Sequence, residues 1–268
     1  MRSMLIVAFL GIVACSDSEP GPTDVAFGTT ALVVVVNPRV NDANQQSVPP
    51  PASERSGVRL SSDDGVSATT DDDGIAVLAP LDAGVRVITV SGDNTGGTFQ
   101  VTMEDGALRE VAVAARESST EIMANLDYTT DNVTELTPST SLADVNAALA
   151  VSDTVVFFRG GVYEGDLTFS GSRVTLFGEG ALGGNVELRG NVTVSGSNSR
   201  IRGALITGNL ALPASGVGLS FSRVNGSVTA GGSDVTLLGN ALCGSETITG
   251  SDALVIGNAG AAPTTQCP

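Results

Sequence analysis

The chain has 268 residues, with 29 acidic against 13 basic side chains and a net charge of −16; every basic residue is an arginine, and histidine and tryptophan are absent. So acidic a surface argues against nucleic acid and anionic surfaces as partners. Without histidine the usual proton shuttle near neutral pH is missing, and no motif along the chain implies a cofactor.

The first residues, MRSMLIVAFLGIVACSDSEP, hold one arginine and then an apolar run from Met4 to Ala14, only 11 residues long. About 20 are needed to span a bilayer, so residues 1–14 read as an export signal rather than an anchor helix. Ile12, Val13, Ala14 and Cys15 resemble the lipobox of bacterial lipoproteins. That resemblance implies cleavage before Cys15 and acylation of the new terminus, palmitate included. Ser16 in the next position implies sorting to the outer membrane. Several acyl chains hold a protein stably where one holds it marginally. Residues 15–28, acylated cysteine and polar SDSEPGPTD, then form a flexible tether.

From residue 29 to 116 short alternating segments follow one another: ALVVVV, GVRLSS, GVSATT, GIAVLAP, GVRVITVSG, GTFQVTM and LREVAVAA, separated by DDG, DDDG and EDG. Asp-Gly between alternating strands is a strong hairpin signal. The spacing predicts a small antiparallel β-sandwich of about seven strands. GVSATTDDDGIAVLAPLDAGVRVITVSG is similar to carboxypeptidase-regulatory-like and other prealbumin-like modules, which implies a spacer or binding domain. Asp71, Asp72, Asp73 and Gly74 invite a calcium reading, but an EF-hand would need acids at Thr69 and Pro80. A solvated hairpin turn accounts for them better. The polar residues 117–139 read as a linker.

Ser141 with Asp144 three residues on is a capping-box signature, and Leu142, Val145 and Leu149 then share a helical face. This short helix is expected to cover the N-terminal end of a stack of repeated units. In those units the pattern apolar-x-Gly-x-apolar-x-apolar-x-small recurs, as in YEGDLTFSG, LRGNVTVSG, ITGNLALPA and VNGSVTAGG. Gly190, Gly208, Gly226 and Gly244 are 18 residues apart, whereas Gly165 to Gly190 is 25, one unit with a seven-residue insertion, GALGGNV. Units this short bury their apolar positions only by stacking. About six coils are expected, each of brief strands joined by sharp corners, with glycine at the corners for its freedom to take positive φ. Phe158, Leu176, Ile201, Leu219, Leu237 and Val255 fall on one inward column, and Asp166, Asn191, Asn209, Ser227 and Ser245 on a polar corner ladder.

The stretch SLADVNAALAVSDTVVFFRGGVYEGDLTFSGSRVTLFGEG resembles the opening of right-handed parallel β-helices of the pectin-lyase-like superfamily. The fold class expected is therefore all-β, an antiparallel sandwich followed over residues 140–268 by a short right-handed parallel β-helix with an N-terminal capping helix. The resemblance also implies a polysaccharide lyase or hydrolase as a candidate activity, and such enzymes need clustered acids with a neighbouring arginine. The coil acids are Glu164, Asp166, Glu179, Glu187, Asp234, Glu246 and Asp252. Only Asp234 and Asp252 share a column on adjacent coils, where they could hold a cation or face solvent. Glu164 stacks beneath Arg189 as a surface ion pair, and Glu246 falls on an inward position, marking a local shift. No catalytic, cofactor or metal residues are assigned.

Acylation removes Cys15 from the thiol count and leaves Cys243 and Cys267 in an oxidising compartment, where an even number suggests a disulfide. Two free buried thiols are the alternative. The function expected is that of a non-catalytic, lipid-anchored envelope protein that binds a glycan or another envelope protein through its coil surface or through the GALGGNV insertion. A polysaccharide lyase or hydrolase and an inert spacer are the other readings.

Overall fold

The computed structural model describes residues 25–38, 40–42, 45–46, 51–129, 131–180, 185–257 and 259–260. The chain is all-β with one α-helix among the described residues. Its N-terminal strands are β1 (Ala31–Val36), β2 (Val40–Asp42), β3 (Gln45–Gln46), β4 (Arg59–Ser62), β5 (Ser67–Thr69), β6 (Ile75–Leu78), β7 (Gly84–Ser91), β8 (Gly96–Met103), β9 (Leu108–Arg116) and β10 (Ser119–Tyr128). In place of a two-sheet antiparallel sandwich, all of these except β2 and β3 form one mixed sheet in the order β5-β4-β7-β8-β9-β1-β6, with β10 also on β9. It curls until β5 and β6 lie side by side. All pairings are antiparallel except β1 with β9.

The reason lies in ALVVVV, which is apolar at every position and buried along its whole length. A strand of that kind belongs where both faces are covered. Leu32, Val34 and Val36 point into the curled sheet with Leu60, Ile88, Phe99 and Val113, whereas Ala31, Val33 and Val35 point out, against the second half of the chain.

The stretch read as a linker is structured. Residues 119–128 are β10, whose Ala124, Leu126 and Tyr128 alternate onto the buried outer face. Next comes β11 (Val133–Leu136), parallel to the strand Thr154–Phe158. From there the chain visits three parallel sheets in turn, an arrangement consistent with a β-helix. The first sheet stacks Thr154–Phe158, Val174–Gly178, Arg200–Arg202, Gly218–Ser220, Thr236–Leu238 and Leu254–Ile256. The second stacks Gly161–Glu164, Val186–Arg189, Leu205–Ile206, Arg223–Val224, Ala241–Leu242 and Ala259–Gly260. The third stacks Leu167–Phe169, Val192–Val194, Leu210–Leu212, Val228–Ala230 and Glu246–Ile248.

Leu176, Ile201, Leu219, Leu237 and Val255 stand in register on one inward column. At its head stands Val156, not Phe158, because the step from Val156 to Leu176 is 20 residues. A slip of two residues leaves the same face inward, and both side chains are fully buried in the coil core. The glycine column also has a different cause from the one expected. Gly208, Gly226 and Gly244 do not have positive φ. A Cβ on each would run into the carbonyl oxygen of the glycine one coil before, so close stacking, not turn geometry, excludes a side chain.

Helix α1 (Leu142–Ala148) lies over the N-terminal end, with Ser141 Oγ accepting from the Asp144 N–H at 3.2 Å. Val145 and Leu149 enter the coil core, but Leu142 remains 41% exposed, lying over Gly165. Asn146 does what a neighbouring strand would do. Its amide nitrogen donates to the Asp166 carbonyl at 3.2 Å, and its oxygen accepts from the Thr168 N–H at 2.8 Å. The edge strand of the third sheet is thereby paired by one side chain. Asn146→Ala is expected to lower unfolding free energy by about 1–2 kcal/mol, two exposed hydrogen bonds at the usual net worth, as read from the midpoint of urea unfolding.

At the other end β2 pairs antiparallel with Leu254–Ile256, Val40 opposite Ile256, and β3 continues outward. A hairpin from the N-terminal half thus covers the last strand of the first sheet.

Candidate binding surfaces of the coil stack

The three sheets present three different faces. On the first, the outward column is Phe157, Phe177, Arg202, Ser220, Leu238 and Ile256. This column is mostly apolar, and β1, β9 and β10 bury it. At its centre Arg202 Nε lies 2.7 Å from Glu110 Oε1, with both side chains 0% exposed. The Arg202 guanidinium is 5.0 Å from the Phe177 ring centre and 5.9 Å from that of Phe221, near enough for cation–π attraction. Beside it Tyr128 Oη and Ser220 Oγ share a hydrogen bond of 2.5 Å. Burial, and then the Glu110 charge, push the Tyr128 hydroxyl pKa well above its usual value.

Phe221 occupies a corner where its counterparts on other coils are Gly203, Gly239 and Gly257, and it shares their left-handed backbone at φ 41°. A bulky residue there is strained. Its fully buried ring, packed in the same interface, offsets that cost. Gly239 on the next coil makes room, since a Cβ there would come within 2.8 Å of the Phe221 ring.

The second face carries charge in pairs. Arg189 bonds Glu187 at 2.8 Å and Glu164 at 3.1 Å, which includes the ion pair expected from the sequence. On the third face Thr168, Thr193, Ala211, Thr229 and Thr247 point outward in register. The polar corner ladder beside them is built from Asp166 Oδ1 to the Asn191 N–H (2.8 Å), Asn191 Oδ1 to the Asn209 N–H (3.0 Å) and Asn209 Oδ1 to the Ser227 N–H (2.9 Å).

A further corner holds Asn132, Asp153, Arg173, Asn198, Gly216, Asp234 and Asp252, all left-handed, with φ from 52° to 69°. Asp234 and Asp252 are therefore turn residues that suit a left-handed seat. Among the described residues no three His, Cys, Asp or Glu side chains converge as a metal-binding group. Asp71 is likewise used within its own hairpin, where its Oδ1 accepts from the N–H groups of Asp73 (3.0 Å) and Ile75 (2.9 Å). Burial raises its pKa.

Where that left-handed corner meets the end of β10, a polar cleft of about 380 Å³ opens, lined by Asp127, Thr129, Asp131, Asn132, Asp153, Arg173, Asn198 and Arg200 among others. Arg173 donates to both oxygens of Asp153, with Nη2 2.7 Å from Oδ2. This partnership holds the Asp153 carboxyl below the usual range. Arg200 Nη1 donates to the carbonyls of Ser199, at 3.2 Å, and Gly216. A second cleft, of about 290 Å³, lies beside Phe27 and Phe157, where Arg159 bridges Glu135 (2.8 Å) and Glu179 (3.2 Å).

No family model, no curated protein and no solved structure matches the chain. No helix among the described residues is long and apolar enough to cross a membrane. Cys15 and Cys267, together with the tip of the GALGGNV insertion, lie outside the described residues. Cys243 is half-buried on the second face and is not free.

Glu246, taken from the sequence as a local shift, is in register: it continues the inward column after Val228. It stands on the last strand of the third sheet, where it remains exposed, and partial desolvation raises its pKa. An inward charge on a terminal strand discourages another chain from adding to the edge. Glu246→Val is expected to promote end-to-end association, visible as a concentration-dependent rise in mass by light scattering at neutral pH. Association should be absent from the parent protein.

Proposed function

We propose that the protein is a non-catalytic, lipid-anchored protein of the bacterial envelope, probing its surroundings with a right-handed parallel β-helix that binds a glycan or another envelope protein. In this reading Cys15 carries the acyl chains, residues 16–28 form the tether, and a Cys243–Cys267 disulfide staples the far end of the coils. The carrying observation is the unequal use of the three faces. The N-terminal sheet buries the first, through Arg202 and Glu110, and leaves the second, the third and the junction cleft exposed to a partner.

The cleft also favours a second reading, a polysaccharide lyase or hydrolase, because it brings Asp127, Asp131 and Asp153 near Arg173 and Arg200. Against it, the hydrogen bonds from Arg173 lower the Asp153 pKa, which makes that carboxyl a poorer proton donor. The test is to incubate purified residues 16–268 with acidic and neutral polysaccharides, with and without Ca²⁺, and to follow both product release and retention of the protein on each polymer. Retention without cleavage is expected. Cleavage of any polymer would overturn the non-catalytic reading.

A further inference from the structure

The cleft between β10 and the coil corner has a feature that folding alone does not explain. Its left-handed column is filled by Asn, Asp and Gly everywhere except at Arg173, with φ 56°. Asn and Asp tolerate that seat through their short polar side chains, whereas a long side chain there is uncommon. The ion pair with Asp153 is weak compensation, since the two side chains are 59% and 56% exposed. A long side chain in a left-handed seat that the other coils give to Asn, Asp or Gly is a pointer to function.

We propose that this cleft is a binding site for a neutral, polyhydroxylated sugar, held by Arg173 and Asp153 with Asn132, Asn198 and Asp127 around it. The proposal rests on the glycan arm of the reading above. The chemistry of the lining selects the ligand. Among the described residues three Asp and two Arg line the cleft and nearly cancel, so neither a polyanion nor a basic peptide gains much by entering. Among the described residues no aromatic ring lines it, which disfavours a stacked base or an apolar ligand. What remains is a dense set of donors and acceptors: guanidinium, carboxylate, amide and hydroxyl. These match vicinal hydroxyls, which donate to a carboxylate and accept from a guanidinium at once. The cleft, at about 380 Å³, is within the range of small-ligand sites, and such sites favour junctions of this kind.

The experiment separates strain from binding. Full-length mature protein is titrated with neutral oligosaccharides drawn from the polymers that retain it, using calorimetry. Arg173→Asn places the residue type of the column in its seat, so Tm is expected to stay within about 2 °C of the parent or to rise. Affinity should nevertheless fall at least about tenfold, the cost of a hydrogen bond to a charged group. Asp153→Asn should weaken binding likewise. Asp252→Asn, in the same column but away from the cleft, should not. If Arg173→Asn and Asp153→Asn bind as the parent does, the site is elsewhere and the proposal falls, while the broader reading stands. If the parent binds no neutral oligosaccharide, the proposal falls; if it is also retained on no polysaccharide, acidic or neutral, the glycan arm falls with it, leaving the protein-partner arm.

Discussion

Glu110→Ala is expected to destabilise the protein by about 3–5 kcal/mol, the cost of leaving a buried charge without its partner. Arg202 comes from the coil stack and Glu110 from β9, and neither side chain has any exposure to water. Removing the carboxylate takes the ionic partner from a guanidinium that lies among Phe177, Phe221 and the apolar residues of the interface. The reverse change, Arg202→Ala, should cost as much or more, because it also empties a large, fully buried volume. The double variant Glu110→Leu with Arg202→Met should recover most of the loss. The pair is imperfectly satisfied, since Glu110 Oε2 has no hydrogen-bond partner among the described residues, and apolar replacements of similar volume commonly equal a buried ion pair. Guanidinium unfolding of the three variants decides the matter. Equal losses in single and double variants would mean that the pair contributes through its own attraction rather than by avoiding an orphaned charge. Because the pair joins the two halves, loosening either side should leave a single unfolding transition only if the interface remains closed.

This interface was the part of the fold least legible in the sequence, although its signal was present. The inward column was readable because Leu176, Ile201, Leu219, Leu237 and Val255 are uniformly aliphatic. Next to it along each strand stand Phe157, Phe177, Leu238 and Ile256, a column that no solvated face would carry, interrupted by Arg202 and Ser220. An arginine in that row reads as surface until its partner is known, and Glu110 lies 92 residues away. The strand β10 was hidden in the same way. STEIMANLDY is polar in composition, but Ala124, Leu126 and Tyr128 alternate, and an irregularity between Ile122 and Ala124 breaks the rhythm at its start. The hairpin at Asp71 and the helix cap at Ser141 were legible because they are local. The junction cleft was not, since it needs residues from β10, from the residues before β11 and from successive coils to meet.

Gly226→Ala is expected to be the second most damaging substitution, costing about 3 kcal/mol or more, at the upper end of what overpacking usually imposes. Its amide donates to the Gly208 carbonyl at 3.2 Å, so the separation of the two coils is set by hydrogen bonding at this corner. A Cβ would strike that same carbonyl oxygen and lie 2.8 Å from Asn209 Oδ1. Backbone cannot give way as the end of a flexible side chain can, so the coils must part and lose bonds of the corner ladder. The informative comparison is Gly65→Ala. Gly65 has positive φ, at 96°, but open space around it, and its replacement should cost about 1–2 kcal/mol, the strain of an L-residue in left-handed backbone. If turn conformation were what glycine supplies along the 18-residue repeat, Gly226→Ala would cost no more than Gly65→Ala. Urea unfolding midpoints of the two variants, measured side by side, distinguish these causes. A larger loss for Gly226→Ala means that the repeat is a record of how closely successive coils approach, and that the glycine period encodes stacking distance.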